Sequence, residues 1–269
     1  MNIYLYAIIF IMGTVFGSFY TLAVYRIPKN IDIIKTHSYC PNCNHKLGFF
    51  ELIPVLSYIF LGGKCKHCKQ KIRIRYLLLE LLGGVSFVIL AMALKINVYN
   101  LDIQTLIMFA FSILYLTAVI LISGIDKEYI KIEKKLLAYG IIISIVYMIY
   151  LYTIGNTSIY RYAIYYLAIY IILLTIDTFL LRRYAKDSYV VDNLIFLNII
   201  QIFSGTEILA YTVTIAIASI LIYMLIISLK QKKSIRKKIR LKDMPIGYFI
   251  GVSNIVVIFT MALISNFGI

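Results

Sequence analysis

The 269-residue chain has no tryptophan, three histidines and only 12 acidic residues, and charged side chains of both signs make up just 14% of it. So little charge excludes an ordinary water-soluble domain. With 62% hydrophobic residues and a mean hydropathy of +0.89, too little polar surface remains to cover the core such a chain would bury. A bilayer is the solvent this composition needs. Internal repeats and low-complexity linkers are absent, which argues against a solenoid or a string of modules. The opening MNIYLY has no basic region and no small-x-small cleavage site follows the apolar run behind it, so that run is expected to be an anchor and not a removable signal. The 24 tyrosines are compatible with anchoring at the membrane interfaces despite the missing tryptophan.

What the chain does contain is apolar runs near 3–25, 77–94, 103–125, 136–154, 162–181, 206–229 and 245–265, each long enough to span. An eighth, from Asn193 to Phe203, reaches the roughly 17 residues a span requires only if its helix begins upstream, near Ser188. The 27 Lys and Arg residues, which give a net charge of +15, fall between these runs. Segments 26–76, 126–135, 182–192 and 230–244 hold all of them except Lys95 and Arg161. The positive-inside rule therefore predicts an even number of spans with the N-terminus outside. The charge is topological, and nucleic-acid binding has no other support. The cluster at 230–242 reads as a cytosolic topology determinant, with contact to anionic membrane lipid as its other reading.

The insert between the first two spans carries two Cys-x-x-Cys pairs, Cys40 with Cys43 and Cys65 with Cys68, with 21 residues between the pairs. Two residues between paired cysteines let both sulfurs face one ion, and two such turns complete a tetrahedron, so the spacing predicts a four-thiolate zinc site. A pair of disulfides is the competing arrangement, disfavoured by a reducing cytosol. Four protein ligands leave no position for an activated water, which makes the zinc structural: it replaces the core that a loop of about 50 residues cannot build by burial. His37, His45 and His67 are expected to be bystanders.

At these residues the sequence resembles the bacterial prepilin peptidases, the type IV prepilin leader peptidase/N-methyltransferase family. The likeness rests on GSFYTLAVYRIP (17–28), the CPNC and CKHC knuckles with ELIPVLSYIFLGGKC between them, IRYLLLELLGG (74–84) and, farther on, KDMPIGYFIGVSNIVV (242–257). The resemblance implies a polytopic aspartic protease of the bacterial inner membrane that removes a short basic leader, typically after Gly, from prepilins or pseudopilins. In many members of the family the same protein then methylates the new N-terminus with S-adenosylmethionine. The expected architecture is an all-α polytopic membrane protein of about eight transmembrane helices, a single membrane domain over 1–269 with a cytosolic zinc-binding insert at 26–76.

Such chemistry needs two carboxylates able to share a proton. By order and span, the resemblance assigns these catalytic roles to Asp126 and Asp192, at the expected cytosolic ends of the third and sixth spans. The local motifs depart from the family. Where it has Gly-x-Gly-Asp-x-Lys this chain has Tyr189, Val190, Val191, Asp192, Asn193 and Leu194, and where it has Ile-Pro-Asp or Ile-Pro-Asn this chain has Lys131, Ile132 and Glu133. Losing both glycines removes the freedom for close backbone approach there. Each aspartate also has a bland role: Asp192 as a helix N-cap, and Asp126 as a boundary charge answered by Lys127. Asp187 is the fallback second acid. Asp177 is expected to pair with Arg182 and Arg183, and Glu80, a few residues into the second span, needs a partner or a job, with Arg75 nearest. Helix dipoles set the two principal acids apart: Asp126 closes a helix and Asp192 opens one, so Asp192 is expected to be the ionised base and Asp126 the protonated partner. Because this cytosolic face is as basic as the leader, the substrate is expected to arrive laterally through the bilayer. Two other classes stay open, a catalytically impaired homologue acting as a membrane scaffold and a transporter. A transporter would spread its acids along a mid-bilayer path, whereas most of these lie near one surface.

Overall fold

The computed structural model describes residues 2–33, 35–99, 101–155, 157–184, 189–231 and 244–267. Among these the chain is helical, with two isolated β-bridges in the insert as its only extended pairing. In order come α1 (Asn2–Arg26), a short helix α2 (Leu56–Phe60), α3 (Arg75–Ala93), α4 (Ile103–Tyr129), α5 (Lys134–Thr153), α6 (Thr157–Tyr184), α7 (Tyr189–Gln231) and α8 (Ile246–Phe267). Single 3₁₀ turns lie at Ile27–Lys29 and Phe49–Glu51. Each of the eight apolar runs falls on a helix. Among the described residues six helices are long and apolar enough to cross a membrane, and the described apolar stretch of α6, Tyr165–Leu180, is a little shorter.

The run from Asn193 to Phe203 and the run near 206–229 share α7, whose 43 residues would extend about 64 Å as one straight helix at 1.5 Å per residue, twice a hydrocarbon core of roughly 30 Å. Gly205, at φ 80° and ψ 174°, interrupts the helical geometry and divides it in two. The upstream part begins at Tyr189, one residue from the start the short run required. Asp187 and the basic cluster at 232–242 lie outside the described residues.

The chain divides into two compact units. In the first, residues 1–110 and 261–269, α1 and α3 cross with their backbones in contact: a Cβ on Gly13 would stand 2.5 Å from the Gly83 carbonyl oxygen, and one on Gly83 2.5 Å from that of Gly13. Lipid chains are as apolar as leucine, so close backbone approach, not burial from water, holds such a pair together. The insert hangs between these two helices. Buried Arg26 closes α1 and donates to the carbonyls of Asp32, Thr36 and His37 at 3.2, 2.7 and 3.3 Å, so the turn out of the span is built on a satisfied guanidinium. Glu51 accepts the Gly48 N–H at 2.8 Å and faces His45 Nε2 at 3.2 Å, contacts that hold its carboxyl below the usual range.

In the second unit, residues 111–260, α5, α6 and α7 pack against one another. The rings of Tyr115, Phe203 and Tyr147 stack at 4.7 and 4.6 Å, and the buried Tyr115 hydroxyl donates to Asn254 Oδ1 at 2.6 Å. Isoleucines such as Ile122, Ile125, Ile195, Ile199 and Ile200 fill the interior, while many other leucines and isoleucines are exposed on the outside of the helices, as a lipid-solvated bundle allows.

Candidate active site and metal centre

The two knuckles of the insert have the same local build. Cys40 N donates to His45 O and Asn44 N to Cys40 O, both at 2.9 Å; Cys65 N donates to Gln70 O at 2.9 Å and Lys69 N to Cys65 O at 3.1 Å. Asn44 and Lys69, each following the second cysteine of its pair, take φ of 56° and 59°. This left-handed residue turns the chain back so that both sulfurs point the same way. All four Sγ atoms lie within 4.8 Å of one another, with Cys40 to Cys68 at 3.8 Å and Cys43 to Cys65 at 4.0 Å. Disulfides need sulfurs about 2 Å apart, so neither pairing is one. A tetrahedral ion with thiolate bonds of about 2.3 Å separates its ligands by about 3.8 Å, and the cluster could hold a metal ion as it stands. His45 and His67 stack on each other with ring centroids 3.6 Å apart, beside the cluster and outside the four-sulfur set.

In the second unit, the last turn of α4 meets the first turns of α7 and α8. Asp126, wholly buried on α4, lies against the Tyr189 hydroxyl, 2.8 and 2.9 Å from its Oδ1 and Oδ2, and accepts the backbone N–H of Tyr248 at 3.0 Å. The same hydroxyl accepts the N–H of Ile246 at 2.8 Å and lies 3.1 Å from the carbonyl of Met244, so one phenol ties α7 to the entry of α8 and to the acid. Gly247 is the close point. A Cβ there would stand 3.1 Å from Asp126 Oδ2 and 3.2 Å from Asn193 Oδ1. The glycine freedom missing before Asp192 is present across from it, on another helix.

Asp192, also buried, is the fourth residue of α7 and sits within its first turn, not at the cap. Lys134, which opens α5, donates to Asp192 Oδ1 and, at 2.9 Å, to both carboxylate oxygens of buried Asp177 on α6. One ammonium therefore joins three helices and two acids. Asp177 has its ion-pair partner on α5; the side chains of Arg182 and Arg183, its expected partners, lie outside the described residues. Lys127, expected to answer Asp126, lies over the ring of Tyr248 at 4.7 Å. Glu80 accepts the N–H of Val55 in the insert at 2.8 Å.

Comparison with known proteins places the N-terminal segment. Residues 11–94 match the model of the Bacterial Peptidase A24 N-terminal domain. This segment is similar to an A24 N-terminal domain. It takes in α1 from Ile11 onward, the knuckles and α3 up to its end; Asp126 and Asp192 lie beyond it. The chain is similar to the prepilin leader peptidase/N-methyltransferase of Vibrio cholerae, 39% identical over 97 residues, which are 33% of this chain and 37% of that protein. It is similar to the protein of the same name from Bacillus subtilis, 31% identical over 133 residues, 49% of this chain and 50% of that one. For the Myxococcus xanthus protein of that name the figures are 39% over 79 residues, 29% and 24%. The match thus spans half or less of these relatives' length. No solved structure matches the chain.

Sequence reasoning missed Tyr189, Lys134 and Gly247. Tyr189 registered only as a departure from glycine, yet its place three residues before Asp192 sets the two one turn apart on one helix face. Lys134 was hidden in a basic run read as topology.

Proposed function

We propose that the chain is a membrane aspartic endopeptidase that removes the basic leader of prepilins or pseudopilins, with Asp126 and Asp192 as its two acids. The observation that carries this reading is the meeting of three helix ends around buried carboxylates, with Tyr189 on Asp126 and, one turn along the same helix, Asp192 on Lys134. Buried acids at helix ends in lipid are retained when they are partnered for a task.

The roles follow from the local fields. Asp192 lies in the first turn of α7, whose dipole favours negative charge, and Lys134 adds a full positive charge; Asp126 lies in the last turn of α4, where the dipole disfavours it. Asp192 is the base that takes a proton from water as the water oxygen bonds to the scissile carbonyl carbon. Asp126, protonated, donates to the developing oxyanion. Collapse breaks the C–N bond: one hydroxyl proton of the tetrahedral diol returns to Asp126 as the carbonyl re-forms, and the proton held by Asp192 passes to the leaving amine. Tyr189 and the Tyr248 N–H hold Asp126 in place through this sequence.

The ion we assign to Cys40, Cys43, Cys65 and Cys68 is zinc, in a closed structural site. S-adenosylmethionine is the methyl donor that the second half of the relatives' name requires, and it is part of this proposal without assigned residues. The distribution of basic segments supports our reading of a bacterial inner-membrane protein with the N-terminus outside and the insert and both acids cytosolic.

One feature favours a second reading, a non-catalytic homologue acting as a scaffold: both oxygens of Asp126 already lie against Tyr189, and bulky residues replace the glycines before Asp192. Purified protein incubated with a prepilin, beside Asp126→Asn and Asp192→Asn, separates the two. Cleavage by wild type and loss in both variants supports the protease. No cleavage by folded wild type, or cleavage that survives either substitution, overturns it.

A further inference from the structure

The insert carries an apolar surface that its knuckles do not use. Phe49, Phe50 and Phe60 are 78%, 80% and 82% exposed, and Leu52, Leu56 and Ile59 beside them are exposed as well. The turn Phe49–Glu51 and helix α2, which bear all of these but Leu52, pack on each other, so the exposed apolar side chains are gathered in one short stretch of the insert. An apolar face this complete on a polar insert needs an occupant.

Two observations point to what covers it. The first is the tether. Val55, between the two elements, is held with φ 64° and ψ −54°, a conformation strongly disfavoured for a β-branched residue, and its N–H donates to Glu80 Oε2. Glu80 is the sixth residue of α3, about 7.5 Å along the axis from the start of that span at 1.5 Å per residue. The bond draws the loop back alongside α3 to the level of its second turn, near the end of an apolar helix long enough to span. The second is charge. Lys64, Lys66, Lys69, Lys71, Arg73 and Arg75, which follow α2 directly, are all exposed, and no acidic residue lies among them.

We propose that residues 49–60 form an interfacial anchor. Its phenylalanines, leucines and isoleucine lie in the headgroup–acyl boundary of the same bilayer that holds the spans, and the cations that follow it rest on anionic phospholipid headgroups. Glu80 meets its own need for a partner by seating the loop there. The metal-stiffened insert is thus fixed at the membrane surface, independently of any peptidase chemistry.

The absence of tryptophan makes this directly measurable, since a single introduced indole reports alone. Full-length Phe50→Trp and Phe60→Trp, reconstituted in mixed phosphatidylcholine and phosphatidylglycerol vesicles, are read with brominated acyl chains and with aqueous iodide. The expected result is about twofold quenching by bromine near the headgroup end of the chain, less by bromine near its methyl end, and little by iodide, as for a segment seated roughly 5–10 Å into the boundary. Iodide quenching without lipid quenching overturns the proposal, because the face is then in water. Protection from both also overturns it, because protein and not lipid then covers the face. In the Phe60→Trp background, Glu80→Ala is expected to shift quenching from lipid to iodide while Glu80→Gln, which keeps an acceptor oxygen, does not. Equal quenching in all three removes the role given to Glu80.

Discussion

Tyr189 sets its hydroxyl 2.8 Å from Asp126 Oδ1, reaching from the first turn of one helix to the last turn of another. Through this contact the tyrosine fixes how α7 approaches the acid on α4. Removing the hydroxyl in Tyr189→Phe leaves both Asp126 and the Ile246 N–H short of a partner. A hydrogen bond to a charged or reacting group contributes about 1.5–3 kcal/mol, so prepilin cleavage is expected to fall roughly 10- to 100-fold. An unchanged turnover number would show that the phenol has no part in the chemistry.

Lys134 serves two buried acids. Losing one member of a buried ion-pair network costs about 3–5 kcal/mol, but the Lys134 side chain is 48% exposed and water screens part of that, so Lys134→Met is expected to cost about 1–3 kcal/mol. Adding Asp177→Asn removes one of the two stranded charges and should recover part of the loss. The double-mutant cycle, followed by thermal unfolding in detergent, measures the coupling; strict additivity would mean that Lys134 and Asp177 do not act together.

Metal content tests the knuckles. Elemental analysis is expected to find one zinc per chain, lost on Cys40→Ser with Cys65→Ser. Because thiolates and not thiols bind the ion, retention should fall as the pH is lowered, with protons displacing metal. A chain that keeps its zinc with two cysteines removed would point to His45 or His67 as a substitute ligand.

Gly247→Ala puts a methyl carbon 3.1 Å from an Asp126 oxygen and 3.2 Å from that of Asn193, closer than either comfortably accepts. The neighbours must give by a few tenths of an ångström. Activity is expected to drop about tenfold through the displaced carboxylate, with stability changed by about 1 kcal/mol or less. A large loss of stability at full specific activity would make Gly247 a packing residue only.

Lateral entry of the substrate predicts an asymmetry. Deleting the apolar helix of a prepilin should impair cleavage more than halving the charge of its leader, since the face that receives that leader is itself basic. Comparable losses in kcat/KM would count against a route through the bilayer.

The helices were legible because lipid imposes one requirement everywhere: some 20 apolar residues with their backbone groups satisfied within the segment. Even the short eighth run was recoverable, since it needed a helix that begins upstream of Asn193, and α7 is already helical at Tyr189. The knuckles were legible too, because Cys-x-x-Cys is a local geometry. Their meeting on one point required the fold.

The sequence by itself determined that this chain lives in a membrane, where its helices run, and that four cysteines could share an ion, all properties set by neighbours in the chain or by composition. Only the tertiary structure decided that Tyr189 reaches Asp126, that Lys134 joins Asp177 to Asp192, and that Glu80 closes on the backbone of Val55. Those contacts join residues 25 to 63 positions apart. Whether two polar groups so far apart in the chain become partners depends on how apolar helices pack in lipid, and no local pattern of residues encodes that.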